Sequence, residues 1–309
     1  MKLIFLNAFV AACFYYNTCY SRDLELSQNS FNKVQTTDIK DSSLNYNRQS
    51  FFGELFTNIS IQAQAPFKIK KKDALYVVAG VGFTMGLIFI DQSLDNSIRP
   101  ISKRYNSIGK TSNYVTEIGG NYGFGLCAAF AGFSFLQNNE KGIQTSRLLA
   151  QSLITVTLWT RFAKFLAGRE RPLYLYDAPG YDTDDSPRWS GPFKFMTKSG
   201  RSLPGSSNDA FPSGHTAIAF AIATVFANQY SDHAAIPVIA YSLATVVGFS
   251  RMIDHEHWAS DVFAGACLGY LCAKQVCNHA LNYKNNRRDM QCYVNYMNHS
   301  FIAGCSLKF

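Results

Sequence analysis

Charge is missing from three long runs of this 309-residue chain, and that gap limits its possible folds more than any other feature. Ala74–Ile90 is 17 residues without a charge, Ile118–Asn139 is 22 and Ala234–Ser250 is 17. A helix that crosses a bilayer needs about 20 predominantly apolar residues. Three further segments, Leu148–Thr160, Thr216–Tyr230 and Val262–Ala273, are shorter. They reach spanning length only by extending through Arg161–Lys164, back through His215 and back through Asp261. Charge at those ends is costly in lipid unless it lines a polar site. Glycines point the same way. Gly80, Gly82, Gly86, Gly120, Gly123 and Gly125, with the small Ala79, crowd the first two long runs. In lipid such residues let helices approach closely, whereas in water each glycine costs a helix about 1 kcal/mol relative to Ala. Six membrane helices is the favoured reading, and a soluble helical protein with a large core is the alternative.

The flanks are different in character. Residues 1–21 read as a signal peptide or apolar anchor, with Lys2 ahead of an apolar run. Val10–Cys13 resembles a lipoprotein cleavage box that would lipidate Cys13. Residues 22–72 read as a polar, disordered stretch followed by an amphipathic lead-in, Ser50–Phe67, that lies on a membrane surface or caps the bundle. Residues 73–280 form the bundle, and 281–309 a polar, frayed tail. The net charge of +8 is spread thinly, with its densest run at Lys68–Lys72. That run suits an anionic-lipid contact or a topology signal. Nothing is organised as a basic face with base-reading residues, which excludes nucleic acid as a partner. The eight cysteines make no metal pattern. Cys267, Cys272 and Cys277 read as small core residues, while Cys292 and Cys305 are a candidate pair in an oxidising compartment.

Three short segments hold the chemistry: Lys164–Pro172 (KFLAGRERP), Phe211–His215 (FPSGH) and Ser250–Asp261 (SRMIDHEHWASD). If the apolar segments are successive antiparallel helices, connectivity brings these three to one end of the bundle. The result is all-α, a six-helix transmembrane bundle with the active site at one end. Arg171 offers a planar fork for two phosphate oxygens, and Lys164 a mobile point charge. Pro172 is expected to end the third helix. Ser213 is a candidate cap for the fourth, whose N-terminus attracts anions, and Gly214 lets backbone approach a phosphate. His257 and Asp261 stand four residues apart, which on a helix puts them on one face. The carboxylate can then hold one imidazole nitrogen and leave the other as a free lone pair. His233, His279 and His299 read as incidental. His255 with Glu256 lacks the further ligands that a metal site needs.

The spacing of these segments resembles the signature of the type 2 phosphatidic acid phosphatase family, which shares its fold with vanadium haloperoxidases. That signature is Lys, six residues, Arg-Pro; then Pro-Ser-Gly-His; then Ser-Arg, five residues, His, three residues, Asp. All three parts are present here in order, and the resemblance covers roughly Ala74 to Lys274. It implies that His257 is the nucleophile that becomes phosphorylated and His215 the general acid. It implies that Asp261 orients His257, and that Lys164, Arg171, Ser213, Gly214 and Arg251 form the phosphate cradle. It implies no metal or other cofactor, because cationic side chains stabilise the equatorial oxygens.

The expected function is a membrane phosphatase that hydrolyses a lipid phosphomonoester or diphosphate. Phosphatidate, a polyprenyl diphosphate, phosphatidylglycerol phosphate and lipid A phosphate are all open as substrates. The loop Leu173–Ala210, with Tyr174, Tyr176, Trp189 and Phe193, is the expected cover that selects among them. Alternatives are a soluble secreted acid phosphatase of the same superfamily, a vanadium-dependent haloperoxidase, and a non-enzymatic membrane protein. Lysines before the first span and Lys284, Arg287 and Arg288 after the last place both ends in the cytoplasm. The site then faces the periplasmic or extracellular side of the cell-envelope membrane. A cleaved signal peptide reverses that orientation.

Overall fold

Each uncharged or apolar segment lies within or across a helix. The computed structural model describes residues 50–68, 74–104, 106–172, 189–192, 208–288, 290–297 and 300–307. In chain order the helices are α1 (Phe51–Gln64), α2 (Ala74–Arg104), α3 (Asn106–Ile118), α4 (Asn121–Leu136), α5 (Glu140–Ala167), α6 (Gly214–Gln229), α7 (Ala235–Ile253) and α8 (Ala259–Arg288). The six expected segments are α2, α4, α5, α6, α7 and α8, so the fold is a six-helix all-α bundle with two additional helices, α1 and α3. The signal-peptide, lipidation and disorder expectations lie outside the described residues. So does most of the loop 173–207.

α8 is the central post. Ala217, Ala221 and Val225 of α6 meet Leu149 and Val156 of α5 and Leu268 and Leu271 of α8 in one buried cluster. Two glycines let α8 and α6 touch backbone to backbone. A Cβ on Gly269 would stand 2.1 Å from the Ala217 carbonyl oxygen, and one on Gly265 2.4 Å from that of Ser213. Small residues at this four-residue spacing on α8 are what close helix approach requires.

Much of the outer surface is apolar. Phe89 of α2 is 82 % exposed, and Leu126 and Phe133 of α4 and Val238, Leu243 and Phe249 of α7 are exposed too. Val77–Pro100 within α2 and Ala235–Ile253 are the two helices, among the described residues, long and apolar enough to cross a membrane. α1 follows the same polarity and, of its two expected placements, takes the one on the bundle, packed against α5 and α8. Its polar face is buried: Glu54 pairs with Arg147 at 3.0 Å, and Asn58 donates to Gln151 at 3.2 Å. Gln62 donates to Gln275 at 2.8 Å and accepts from Trp159 Nε1 at 2.7 Å. Phe52 and Phe56 point outward. Amides that satisfy one another inside leave the aromatic face for an apolar surrounding.

The polar tail expected after residue 280 is folded in part. α8 continues to Arg288, and β1 (Met290–Met297) pairs antiparallel with β2 (Ser300–Leu307). The register sets Met290, Cys292, Val294 and Tyr296 opposite Leu307, Cys305, Ala303 and Phe301, so alternate positions of both strands are apolar. Cys292 and Cys305, opposite each other, are the two cysteines singled out as a candidate pair.

The α6–α8 contact generates the first prediction. Gly269→Val forces a side chain into backbone and should lower stability by about 3 kcal/mol or more, seen as a large drop in unfolding temperature in detergent. Gly125→Ala, where nothing lies within 4 Å of an added Cβ, should be neutral or gain up to about 1 kcal/mol.

Candidate active site

Four helix ends converge on the site, as connectivity requires. α5 ends at Ala167 because Gly168 takes a left-handed conformation (φ 55°) and donates its N–H to the Lys164 carbonyl. A glycine at this position is a common helix stop, and it ends the helix well before Pro172, the expected terminator. Space demands glycine as well, since a Cβ there would lie 2.5 Å from the Gly191 carbonyl oxygen. The turn sends Arg169 into the protein and Arg171 toward the cradle.

Lys164, in the last turn of α5, is buried and donates to the Asp209 carbonyl; the Asp209 carboxylate lies 3.6 Å away. Arg171 is gripped by Asp209 through two hydrogen bonds of 2.8 and 3.0 Å and also pairs with Glu256. Arg251, in the last turn of α7, lies 3.7 Å from both Asp254 and Glu256, and its buried Nε has no hydrogen-bond partner. The three expected cations therefore surround two carboxylates that the sequence did not single out for this purpose. Asp209 stands four residues ahead of Ser213, and Glu256 was weighed only as a metal ligand. Like charges brought this close need anions between them.

α6 begins directly after Ser213. The Ser213 hydroxyl pairs with Thr216 Oγ1 at 2.9 Å and does not cap the helix backbone, while its N–H donates to the Asp261 carbonyl. A Cβ on Gly214 would meet only Thr160 at 3.8 Å, so packing within the described protein leaves that side of the backbone open. His215 follows, against the Gly119–Gly120 turn that joins α3 to α4. Cβ atoms there would fall 2.6 Å from the His215 carbonyl oxygen and 2.9 Å from its Nε2. Charges on Arg251, Lys164 and Arg171 reach this imidazole. Beside it runs an apolar cavity of about 350 Å³, lined by Ile118, Leu126, Phe130, Ile222, Leu243 and Val247 among others.

His257 lies in the turn between α7 and α8, so it precedes the helix that carries Asp261. Its Nδ1 stands 2.7 Å from the Ala210 carbonyl oxygen and 3.7 Å from Asp261 Oδ2. A carbonyl oxygen only accepts, so Nδ1 carries the proton and Nε2 the lone pair. The backbone carbonyl thus makes the short contact expected of Asp261. Asp261 Oδ2 accepts from the Trp258 N–H at 2.8 Å, and Oδ1 from Arg169 at 2.6 Å. The first of these resembles half of a capping box, an acid in the first turn reaching back to the residue before the helix. His255 (φ 54°) turns away to Asp95 at 2.7 Å, and Glu256 goes to the arginines, so the two do not face a common point.

Burial pushes the His257 pKa well below the usual imidazole range, and Lys164, Arg171 and Arg251 add to this. The neutral form therefore persists below the ordinary value of about 6.5. In protein labelled with ¹⁵N-histidine, the His257 signal, assigned by its loss in His257→Gln, should remain neutral at pH 6. Lys164→Met removes one of the opposing cations and should move the titration to higher pH. A His257 that is already protonated at pH 6.5 contradicts this electrostatic account.

Residues 146–285 match the PAP2 superfamily, a span that runs from α5 through α8 and holds all three motifs. The chain is 45 % identical over 74 residues to the lipid A 1-phosphatase of Porphyromonas gingivalis, covering 23 % of this chain and 17 % of that protein. It is 28 % identical over 170 residues to the probable diacylglycerol pyrophosphate phosphatase 1 of Schizosaccharomyces pombe, covering 47 % and 57 %. It therefore spans less than two thirds of the length of these curated relatives. Among solved structures, a transmembrane PAP2-type phosphatidylglycerolphosphate phosphatase from Bacillus subtilis aligns at 19 % identity with a TM-score of 0.43, over 68 % of this chain and 97 % of that one. LpxE from Aquifex aeolicus aligns at 24 % with a TM-score of 0.41, over 58 % and 90 %. Through the region that builds the candidate active site, residues 146–285, this chain is similar to the PAP2 superfamily.

Proposed function

We propose that the protein is a membrane phosphatase that removes a phosphate group from a lipid phosphomonoester or diphosphate through a phosphohistidine at His257. The observation that carries this reading is the convergence of Lys164, Arg171 and Arg251 on an imidazole whose Nδ1 proton is held by a backbone carbonyl. The Nε2 lone pair attacks phosphorus, and the bond from phosphorus to the leaving oxygen breaks. Burial, with the charges of Arg251, Lys164 and Arg171, lowers the His215 pKa to about 4. The bound phosphate offsets those charges, so His215 takes up a proton on binding and gives it to that oxygen. The charge on the equatorial oxygens rests on the three cations. Water, losing a proton to His215, then attacks the phosphoimidazole and releases phosphate. To bind, the phosphate displaces the carboxylates of Asp209 and Glu256, which pair with the same cations. Asp261, 3.7 Å from Nδ1, stabilises the positive charge that His257 acquires. Ser213 and Gly214 offer the start of α6, where partial positive charge favours an anion.

A lipid substrate is supported by the apolar cavity beside His215 and by the outward apolar faces of α2, α4 and α7. The relatives, a lipid A 1-phosphatase and a probable diacylglycerol pyrophosphate phosphatase, agree in chemical class. Polyprenyl diphosphates fit the same chemistry. An outward-facing site is supported by chain direction. α2 runs toward the site and α8 runs away from it, so the start of α2 and the end of α8 lie opposite the site. Next to these ends the sequence carries Lys68–Lys72 and Lys284, Arg287 and Arg288, while the basic residues of Arg99–Lys110 count against this orientation.

Purified protein in detergent should release phosphate from at least one member of a panel of lipid monophosphates and diphosphates. EDTA should leave the rate unchanged and vanadate should inhibit. Activity that EDTA abolishes and a divalent ion restores contradicts the proposal. His215→Ala should slow lipid substrates by about 10²–10⁴-fold and recover partly with p-nitrophenyl phosphate, whose leaving group needs less protonation.

A further inference from the structure

Arg169 sits inside the first motif at a position to which the reaction above gives no task, and it is fully buried. Its guanidinium lies 4.7 Å from the Trp189 ring and 5.3 Å from the Trp258 ring. One end donates to Asp261 Oδ1 at 2.6 Å and to Ser260 Oγ at 2.6 Å. The other end donates to Asp91 Oδ2 at 2.7 Å. Asp91 comes from α2, outside residues 146–285. Its Oδ1 accepts from the Ser260 N–H at 3.0 Å, and its Oδ2 from the Ser260 hydroxyl. A carboxylate from one helix thus caps the first turn of another, the turn that carries Asp261.

We propose that Asp91 and Arg169 are positioning residues of the reaction, forming with Asp261 a buried carboxylate–guanidinium–carboxylate chain that sets the carboxylate facing His257. This inference rests on the phosphatase reading. Two consequences of the geometry support it. Both Asp261 oxygens are assigned, Oδ1 to Arg169 and Oδ2 to the Trp258 N–H and the His257 side, so the carboxylate cannot rotate while Arg169 stays in place. With both carboxylates ionised, as the donors on each of their oxygens favour, the chain also carries one net negative charge, because a single guanidinium is shared by two carboxylates. Asp261 therefore keeps negative character toward an imidazole that Lys164, Arg171 and Arg251 disfavour as a cation, with Asp209 opposing them. With Asp91 neutral, Arg169 is left to Asp261 alone and that negative character falls. Charge on His257 develops in the transition state, so the loss should appear in kcat rather than in substrate binding.

The test is a double-mutant cycle on the full chain in detergent, with Asp91→Asn, Asp261→Asn and the double variant assayed on the lipid phosphate that the wild type hydrolyses fastest. Asp91→Asn should lower kcat by about 10-fold, the low end of what outer partners of active groups contribute, with KM and vanadate inhibition nearly unchanged. The double variant should match Asp261→Asn within about 2-fold, because both changes act through one chain. Multiplied losses, or full kcat in Asp91→Asn, overturn the inference while wild-type turnover leaves the phosphatase reading standing. A wild type inactive on every lipid phosphate overturns that reading and the inference with it. If Asp91→Asn does not fold, Ser260→Ala takes its place. It deletes the hydroxyl shared by Arg169 and Asp91 and keeps both charges, so it should lower kcat at constant KM. Full kcat in Ser260→Ala overturns the inference.

Discussion

A guanidinium with no exposed surface ties three parts of the chain together. Arg169 follows the end of α5, reaches Asp91 on α2 and Asp261 on α8, and lies between two indoles. Buried charge is tolerated only when paired and hydrogen-bonded, and removing one partner of such a pair costs about 3–5 kcal/mol. Helices packed through small and apolar residues slide at little cost, whereas this junction has one geometry that satisfies its charges. The turn that carries His257 hangs from it, because the start of α8 is capped by Asp91 and Asp261.

The cradle obeys a different rule. Lys164, Arg171 and Arg251 repel one another, and Asp209 and Glu256 offset that repulsion. On the proposed function, a phosphate dianion would compete with these two carboxylates. Part of its attraction to the cations would go into displacing them, which would weaken the hold on product as well as on substrate.

The sequence exposed some of this and hid the rest for physical reasons. Helix positions followed from missing charge, and motif spacing located Lys164, Arg171, His215, Arg251 and His257, because each stands at a helix end that connectivity brings together. The helix stop at Gly168 was misassigned to Pro172, since a left-handed glycine and a proline both end helices and only the backbone distinguishes them. The Ala210 carbonyl carries no sequence signal, so its contact with His257 was credited to Asp261. Arg169 and Asp91 were in view, one inside a motif and the other as the residue that ends the first uncharged run. Their pairing depends on how α2 packs against α8, which spacing along the chain does not encode. The hairpin at residues 290–307 was read as a frayed tail although Phe301, Ala303, Cys305 and Leu307 alternate, because one short alternating stretch does not reveal the strand that pairs with it.

The central claim is that His257 becomes covalently phosphorylated. Protein mixed with a ³²P-labelled lipid phosphate and quenched within milliseconds in denaturant at alkaline pH should carry label that acid removes and base does not. Peptide mapping should place that label on His257, and His257→Ala should carry none. Steady turnover with no acid-labile label, or label that maps to another residue, contradicts the account.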